Sequence, residues 1–95
     1  MRLTEFEINA IKQSAREVFG SKVDVFLFGS RVDDKKKGGD IDLYINPQTG
    51  NDLNHKIKFL VSLEQKIGEQ KIDVILAIDK NRPIEQQAIS TGILL

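Results

Sequence analysis

Three short runs of strand-forming residues limit what this chain can fold into more than any other feature. They occupy residues 23–28 (VDVFLF), 40–45 (DIDLYI) and 71–78 (KIDVILAI) and are rich in β-branched and aromatic side chains, which favour extended backbone. The first run is largely apolar on both faces, as is typical of a central strand. A sheet of three strands is therefore predicted.

The segments around these runs have the periodicity of amphipathic helices. A capping box of Thr4 and Glu7 begins the first helix, and Gly20 is expected to end it. The second helix is predicted over residues 52–67, and the third begins near Pro83. The apolar positions assigned to these two helices are Leu53, Ile57, Leu60 and Ile67 in the second and Ile84, Ala88 and Ile89 in the third.

The order α-β-β-α-β-α predicts an α+β fold, a small mixed three-stranded sheet covered by helices, in a single domain over residues 1–95. The 14 basic and 14 acidic side chains give a formal net charge of zero, which argues against direct nucleic-acid binding by bulk electrostatics. There is no cysteine, so thiolate metal sites are excluded. The chain has no signal-peptide core and no apolar run near the roughly 20 residues that span a bilayer, so a cytoplasmic location without membrane contact is expected.

Aspartates interrupt two of the strand runs. Asp40 and Asp42 are two positions apart, so their side chains point to the same face of a strand. Asp73 interrupts the third run, and if the second and third strands are neighbours, three carboxylates gather on one side of the sheet. Their mutual repulsion would be offset by a divalent cation that prefers oxygen ligands, Mg²⁺ or Mn²⁺.

These residues also have an ordinary structural explanation. Aspartates are common at strand ends as turn residues or solvent-facing positions, and Asp40 and Asp42 fit that explanation as well as they fit a metal site. Asp73 by itself fits it better. His55 is expected to be exposed early in the second helix, and Tyr44 could either stack on a nucleotide base or pack within the sheet.

A glycine-serine step follows the first strand. Gly29 lets a ligand approach the backbone, and the Ser30 hydroxyl can donate to a phosphate oxygen. Arg31 could add positive charge there or point to solvent. The lysine run at 35–37 is expected to be a mobile loop, either a solvated tip or an attractor for a triphosphate or a partner. A phosphate-binding turn followed by paired carboxylates indicates phosphoryl or nucleotidyl transfer assisted by metal ions.

The combination of Gly29 and Ser30, nine further residues, and then Asp40, Ile41 and Asp42 resembles the signature of the DNA polymerase beta-like nucleotidyltransferase superfamily. More narrowly, the chain is similar to the minimal nucleotidyltransferase (MNT) proteins. These are short domains that often act as MntA-type antitoxins beside a HEPN-domain toxin. The resemblance extends over nearly the whole chain and implies the nucleotidyltransferase fold.

The resemblance also implies roles for individual residues. The implied site consists of the nucleotide-binding residues Gly29, Ser30 and Arg31 and the metal-binding, catalytic residues Asp40, Asp42 and Asp73. Two Mg²⁺ ions would be bound, and Asp73 would also help to activate the attacking hydroxyl. In the antitoxin branch, ATP is the donor and AMP is transferred to a tyrosine of the toxin, an RNA-cleaving protein.

The expected function is therefore that of an enzyme, a Mg²⁺-dependent protein adenylyltransferase in a hetero-oligomer with a HEPN-type toxin. The chain ends soon after the third strand, so part of the acceptor site is expected to come from the partner. The apolar tail Ile93, Leu94 and Leu95 is a candidate contact or ordinary core. The alternative function is that of a catalytically silent antitoxin that neutralises its partner by masking it.

Overall fold

The computed structural model of the chain describes residues 2–33 and 39–95, apart from the side chain of Ser30. In chain order the elements are α1 (Glu5–Phe19), β1 (Asp24–Phe28), a 3-10 helix (Gly29–Val32), β2 (Ile41–Asn46), α2 (Leu53–Ile67), β3 (Ile72–Leu76), α3 (Pro83–Thr91) and β4 (Ile93–Leu94). None of the helices in the described ranges has the length and apolar character needed to traverse a bilayer. The lysine run at 35–37 lies outside the described residues.

The first helix begins and ends where the sequence predicts. The Thr4 hydroxyl oxygen accepts from the Glu7 N–H at 3.1 Å, and Glu7 Oε1 accepts from the Thr4 N–H at 2.9 Å. This capping box pairs N–H groups that have no partner within the helix itself. Gly20 follows the last helical residue with a φ of 99°, a conformation that glycine adopts at little cost.

The described residues contain four strands, which form one mixed sheet in the order β3-β2-β1-β4. β1 is antiparallel to β2 and β4, whereas β2 is parallel to β3. The prediction of three strands was therefore one short. β4 has only two residues, too few to show an alternating pattern, and its pairing of Ile93 with Leu27 is what defines it as a strand. In the tail, Leu95 packs against the main core and Leu94 is exposed.

The sheet separates two apolar layers. The main core lies between the sheet and the helices α1 and α2, and Leu27, Leu43 and Phe59 are fully buried there. A smaller cluster on the opposite face includes Phe28 and Tyr44 and lies beneath α3. Successive strand residues alternate between these faces, so the even-numbered positions of β2 point toward the α3 side.

The second helix is rotated relative to its predicted apolar stripe. Leu53 and Ile57 are 68% and 49% exposed, whereas Phe59 and Leu63 are fully buried. The other two predicted positions do pack against the core. Phe59 and Leu63 lie one turn apart on the same face of the helix and fill the main core, so the side that carries Leu53 and Ile57 turns outward.

Candidate active site

Two of the predicted carboxylates lie side by side on the sheet. β2 and β3 are parallel, and their register places Asp42 opposite Asp73. On its other side, Asp42 is opposite Phe28, the last residue of β1. Neighbouring strands are about 4.8 Å apart, and the two carboxyl groups are within hydrogen-bonding reach of each other. Both lie on the α3 face of the sheet.

The third predicted carboxylate, Asp40, lies just before β2 begins. Its Oδ2 is 3.4 Å from Lys71 Nζ, which immediately precedes β3. The Lys71 side chain is 77% exposed, so this ion pair contributes little stability. Within the described residues, no three histidine or acidic side chains are arranged as a group able to hold a metal ion. The geometry therefore provides a pair, Asp42 and Asp73, with Asp40 at its margin.

The carboxyl group of Asp42 is in an environment that disfavours its charge. Burial raises the pKa of Asp42, the negative charges of Asp73 and Asp40 raise it further, and Lys71 opposes them. A divalent cation at this position would favour the ionised form. The all-oxygen set fits Mg²⁺ or Mn²⁺, whose coordination shells are completed by water and phosphate oxygens. The metal-binding roles of the three aspartates stay a prediction that this chemistry supports.

Gly29 brings the backbone directly against the acidic pair. Its φ is +75°, a left-handed conformation, and a Cβ atom built on it would overlap Asp42 Oδ2. Glycine is therefore required at this position both for its conformation and for its lack of a side chain. The Gly29 backbone thus lies close enough to Asp42 to help hold a ligand there. The predicted binding of nucleotide phosphates by Gly29 and Ser30 remains a prediction.

The guanidinium of Arg31 is engaged with backbone carbonyls. Nε donates to Gly39 O at 3.2 Å, and Nη1 donates to Arg2 O at 3.0 Å. In return, the Arg2 N–H donates to Arg31 O at 2.7 Å. Arg31 thereby ties the N-terminal segment and the approach to β2 to the 3-10 helix. Its predicted contact with a nucleotide would require these bonds to be shared or exchanged.

A groove of about 690 Å³ passes over the acidic pair and around the free edge of β3. Its size is that of a site for a small organic ligand. Its lining includes Gly29, Asp42 and Asp73, which were predicted as site residues, and Lys56, Ile84 and Gln87, which were not. No sequence signal marks the last three, because they come from the surfaces of two different helices and only the folded chain brings them to the groove.

A buried hydrogen-bonded network fixes α3 beside this groove. Glu85 is fully buried, and its carboxylate accepts from Tyr44 Oη at 2.8 Å, from Arg82 Nε at 2.6 Å and from the Asp79 N–H at 2.9 Å. Burial raises the pKa of Glu85, but the hydrogen bonds from Asp79, Tyr44, Arg82 and Ile78 outweigh it and lower the pKa to about 2.

The network settles the open question about Tyr44, which is 1% exposed and therefore packs within the sheet. Burial and the neighbouring Glu85 raise the pKa of Tyr44 to about 12. Glu85 was not predicted. Its helical spacing from the buried Ala88 could have indicated it, whereas the predicted positions Ile84 and Ile89 are 38% and 42% exposed.

His55 belongs to the start of α2 rather than to the groove. Its Nδ1 is 2.6 Å from Asp52 Oδ1, and the same oxygen accepts from the His55 N–H at 2.9 Å. Asp52 is the N-cap residue of the helix. The histidine is partly exposed, at 33% of its side chain, and its contacts explain it as part of the helix start.

A family model described as "Polymerase beta, Nucleotidyltransferase" matches residues 9–95. The matched range contains the 3-10 helix, the acidic pair and all four strands. The chain belongs to the polymerase beta nucleotidyltransferase family. A comparison with curated proteins gave no match. Nucleotidyltransferase domains of this family typically use a nucleoside triphosphate and a divalent metal, so nucleotidyl transfer is the class of reaction that family membership supports.

Proposed function

We propose that this nucleotidyltransferase is a cytoplasmic, Mg²⁺-dependent protein adenylyltransferase that transfers AMP from ATP to a tyrosine hydroxyl of a HEPN-type toxin, and so acts as its antitoxin. The observation that carries the proposal is the register that sets Asp42 beside Asp73 and against the backbone of Gly29. Metal ligands next to a close backbone approach are what triphosphate chemistry requires. The toxin and its tyrosine come from the resemblance of the sequence to MNT proteins.

The three aspartates would have different roles in the reaction. Asp40, Asp42 and Asp73 would hold Mg²⁺, which supplies positive charge to the phosphates. Asp73 is more exposed than Asp42 and lies on the edge strand, so an acceptor hydroxyl can reach it and transfer its proton to the carboxylate. The hydroxyl oxygen bonds to the α-phosphorus of ATP, the bond to the bridging β-phosphate oxygen breaks, and pyrophosphate leaves.

Transfer of label from ATP tests the proposal. The protein is incubated with ATP labelled on the α-phosphate, Mg²⁺ and the product of its neighbouring gene, and the neighbour is expected to acquire AMP on a tyrosine identified by mass spectrometry. Asp42→Asn should lower the rate by at least about 100-fold, because the metal loses a charged ligand. Asp24→Asn is the matched control, since Asp24 is exposed at the opposite end of the β1–β2 pair.

The control variant should label its partner at the wild-type rate. Full activity in Asp42→Asn would contradict the role assigned to Asp42. Label on the neighbour at a residue other than tyrosine would retain nucleotidyl transfer and contradict the proposed acceptor.

Masking without catalysis is the second candidate function. It is favoured by large apolar side chains on the outer surfaces of α1 and α2, where Phe6, Leu53 and Val61 are 65%, 68% and 50% exposed, because such side chains often mark protein contacts. A double variant, Asp40→Asn with Asp42→Asn, separates the two functions. Continued protection of cells that produce the toxin would support masking, and lost protection would support catalysis.

A further inference from the structure

β3 is an edge strand whose outer side carries unpaired backbone groups. Among residues 2–33 and 39–95, its single neighbour in the sheet is β2. The Ile41 N–H donates to Lys71 O at 3.1 Å and the Ala77 N–H donates to Ile45 O at 2.8 Å. Every second residue of β3 therefore faces β2, and Ile72, Val74 and Leu76 point their N–H and C=O groups away from the sheet.

Most of these outward groups have no hydrogen-bond partner in the part of the chain that the structure describes. Within the described residues, the single hydrogen bond to them joins Arg82 Nη2 to Leu76 O at 3.4 Å. Among the described residues, Ile72 and Val74 thus have both backbone groups unpaired and Leu76 has its N–H unpaired, and Val74 and Leu76 are only 5% and 8% exposed. This two-residue spacing is the pattern that an added β-strand pairs with. Arg82 marks the end at which pairing would stop.

Two clefts border this edge and meet along it. One has a volume of about 330 Å³ and the other, which contains the acidic pair, about 690 Å³, and both are lined by Lys56, Val74 and Ile75. The smaller cleft is flanked by Leu53 and Ile78, each 68% exposed. An edge strand with exposed apolar side chains on either side is a surface that folded proteins usually cover.

The negative charge of Asp42 and Asp73 favours some binding partners at the β3 edge over others. If two copies of the chain paired antiparallel through β3 about Val74, the Asp73 side chains of both would lie on the same face, close to Asp42 of each copy. Asp42 and Asp73 are already neighbours on that face, so further negative charge there is disfavoured by like-charge repulsion. A foreign strand with uncharged residues on that face avoids this repulsion. Apolar residues on its other face would contact Leu53 and Leu60.

We propose that the acceptor protein presents its hydroxyl on an extended segment that binds as an additional strand along β3, with apolar side chains toward α2 and the hydroxyl side chain toward Asp73. The residue opposite Asp73 on such a strand would have its Cβ about 5 Å away, within the reach of a hydroxyl side chain. The identity of the hydroxyl rests on the proposed function, whereas the strand pairing rests on the free edge of β3 alone.

Amide hydrogen exchange of the full chain, measured by NMR, tests the pairing. The probe is the synthetic peptide Lys-Val-Thr-Val-Tyr-Val-Thr-Val-Lys, which has an apolar face and a face of tyrosine and threonine. At millimolar peptide, the amides of Ile72, Val74 and Leu76 should exchange at least about tenfold more slowly, because they become paired. The amides of Asp73 and Ile75, which already face β2, serve as internal controls and should be unchanged.

The control is the same peptide with N-methyl groups on the backbone amides around its tyrosine. It keeps every side chain but cannot form the hydrogen bonds of a strand pair, so it should not protect the amides of Ile72, Val74 and Leu76. Equal protection by both peptides, or protection by neither, would overturn the proposal. Protection that depends on protein concentration without peptide would also overturn it, because the occupant would then be a second copy. If AMP is transferred to a partner but the β3 amides are not protected, strand pairing is contradicted and the proposed function is retained. If the amides are protected but no AMP is transferred, the proposed function is contradicted and strand pairing is retained.

Discussion

At Gly29, the main chain and the carboxylate of Asp42 lie so close that no side chain fits between them. A glycine is common at the end of a strand, and Gly68 provides a comparison without such a neighbour. Gly68 also has a positive φ, +84°, but a Cβ atom built there would meet nothing within 4 Å. Comparing the two glycines therefore distinguishes the cost of backbone strain from the cost of a side chain that contacts the acidic pair.

Replacing each glycine with alanine measures the two effects. Gly29→Ala and Gly68→Ala should both lose about 1–2 kcal/mol of stability, because alanine is strained at positive φ. Gly29→Ala should lose about 1 kcal/mol more, because Asp42 must move, and should lose Mg²⁺–ATP affinity, which Gly68→Ala should retain. Urea unfolding and calorimetric titration provide the measurements. Equal stability loss with intact Mg²⁺–ATP binding in both variants would contradict the close packing of Gly29 on Asp42.

At the level of elements, α3 is the helix that forms one wall of the groove, and its attachment is polar rather than apolar. Ala88 is its one fully buried apolar residue among those described, whereas Glu85 is buried and receives hydrogen bonds from β2 and from the connection between β3 and α3. The cost of burying the carboxylate is offset by these donors and by Arg82. Because Ile84 and Gln87 are on the same helix, the groove depends on this network.

Substitution of Glu85 should therefore destabilise the protein strongly. Glu85→Gln should cost about 2 kcal/mol or more at pH 7, because charge-assisted hydrogen bonds are lost and buried donors are left unpaired. Tyr44→Phe, which removes a single donor, should cost about 1 kcal/mol. Glu64→Gln, an exposed change on α2, is the matched control and should stay within about 0.5 kcal/mol of the wild type.

The pH dependence gives a second measurement of the same network. The folded pKa of Glu85 is about 2, below the ordinary value of 4.5, so its contribution is complete above pH 4.5 and is lost as the pH falls toward 2. The difference between wild type and Glu85→Gln in denaturant unfolding should shrink over that range. A difference that stays constant down to pH 2 would contradict a buried, ionised Glu85.

Across the whole molecule, formal charge sums to zero, with 14 basic and 14 acidic side chains, but its distribution is uneven. Negative charge is concentrated where β2 and β3 meet the groove, and the folded state keeps Asp42 and Asp73 together. Because the folded pKa of Asp42 is raised above its ordinary value of 3.8, ionisation of this group favours the unfolded chain, and stability falls as the pH rises through the raised pKa.

Asp73→Asn should consequently stabilise the protein when divalent ions are removed. The gain should be absent near pH 3 and reach at most about 1 kcal/mol at pH 7, since the site is partly screened by solvent. At saturating Mg²⁺ the wild type should be more stable than Asp73→Asn, because the wild type then gains the free energy of Mg²⁺ binding. Denaturant unfolding with chelator and with Mg²⁺ tests both parts, with Asp24→Asn as the control expected to change little. If Asp73→Asn is less stable than the wild type in chelator, the predicted repulsion between Asp42 and Asp73 is contradicted.

The sequence by itself determined the features that arise from local patterns. The capping box of Thr4 and Glu7 follows from side chains that bond to backbone three residues away, and the end of α1 at Gly20 follows from the ease with which glycine adopts a positive φ. Strand alternation likewise determined that Asp42 points away from Ile41 and Leu43. These properties depend on neighbours in the chain, so the residues alone are sufficient to predict them.

The tertiary structure decided which of these local features meet. Asp42 and Asp73 are 31 positions apart, and only the parallel pairing of β2 with β3 makes them neighbours. Tertiary packing also rotated α2 away from its predicted stripe, buried Glu85 and added the two-residue strand β4. Each of these outcomes depends on contacts summed over distant segments, where small differences in packing free energy select one register among several, and no local pattern records that sum.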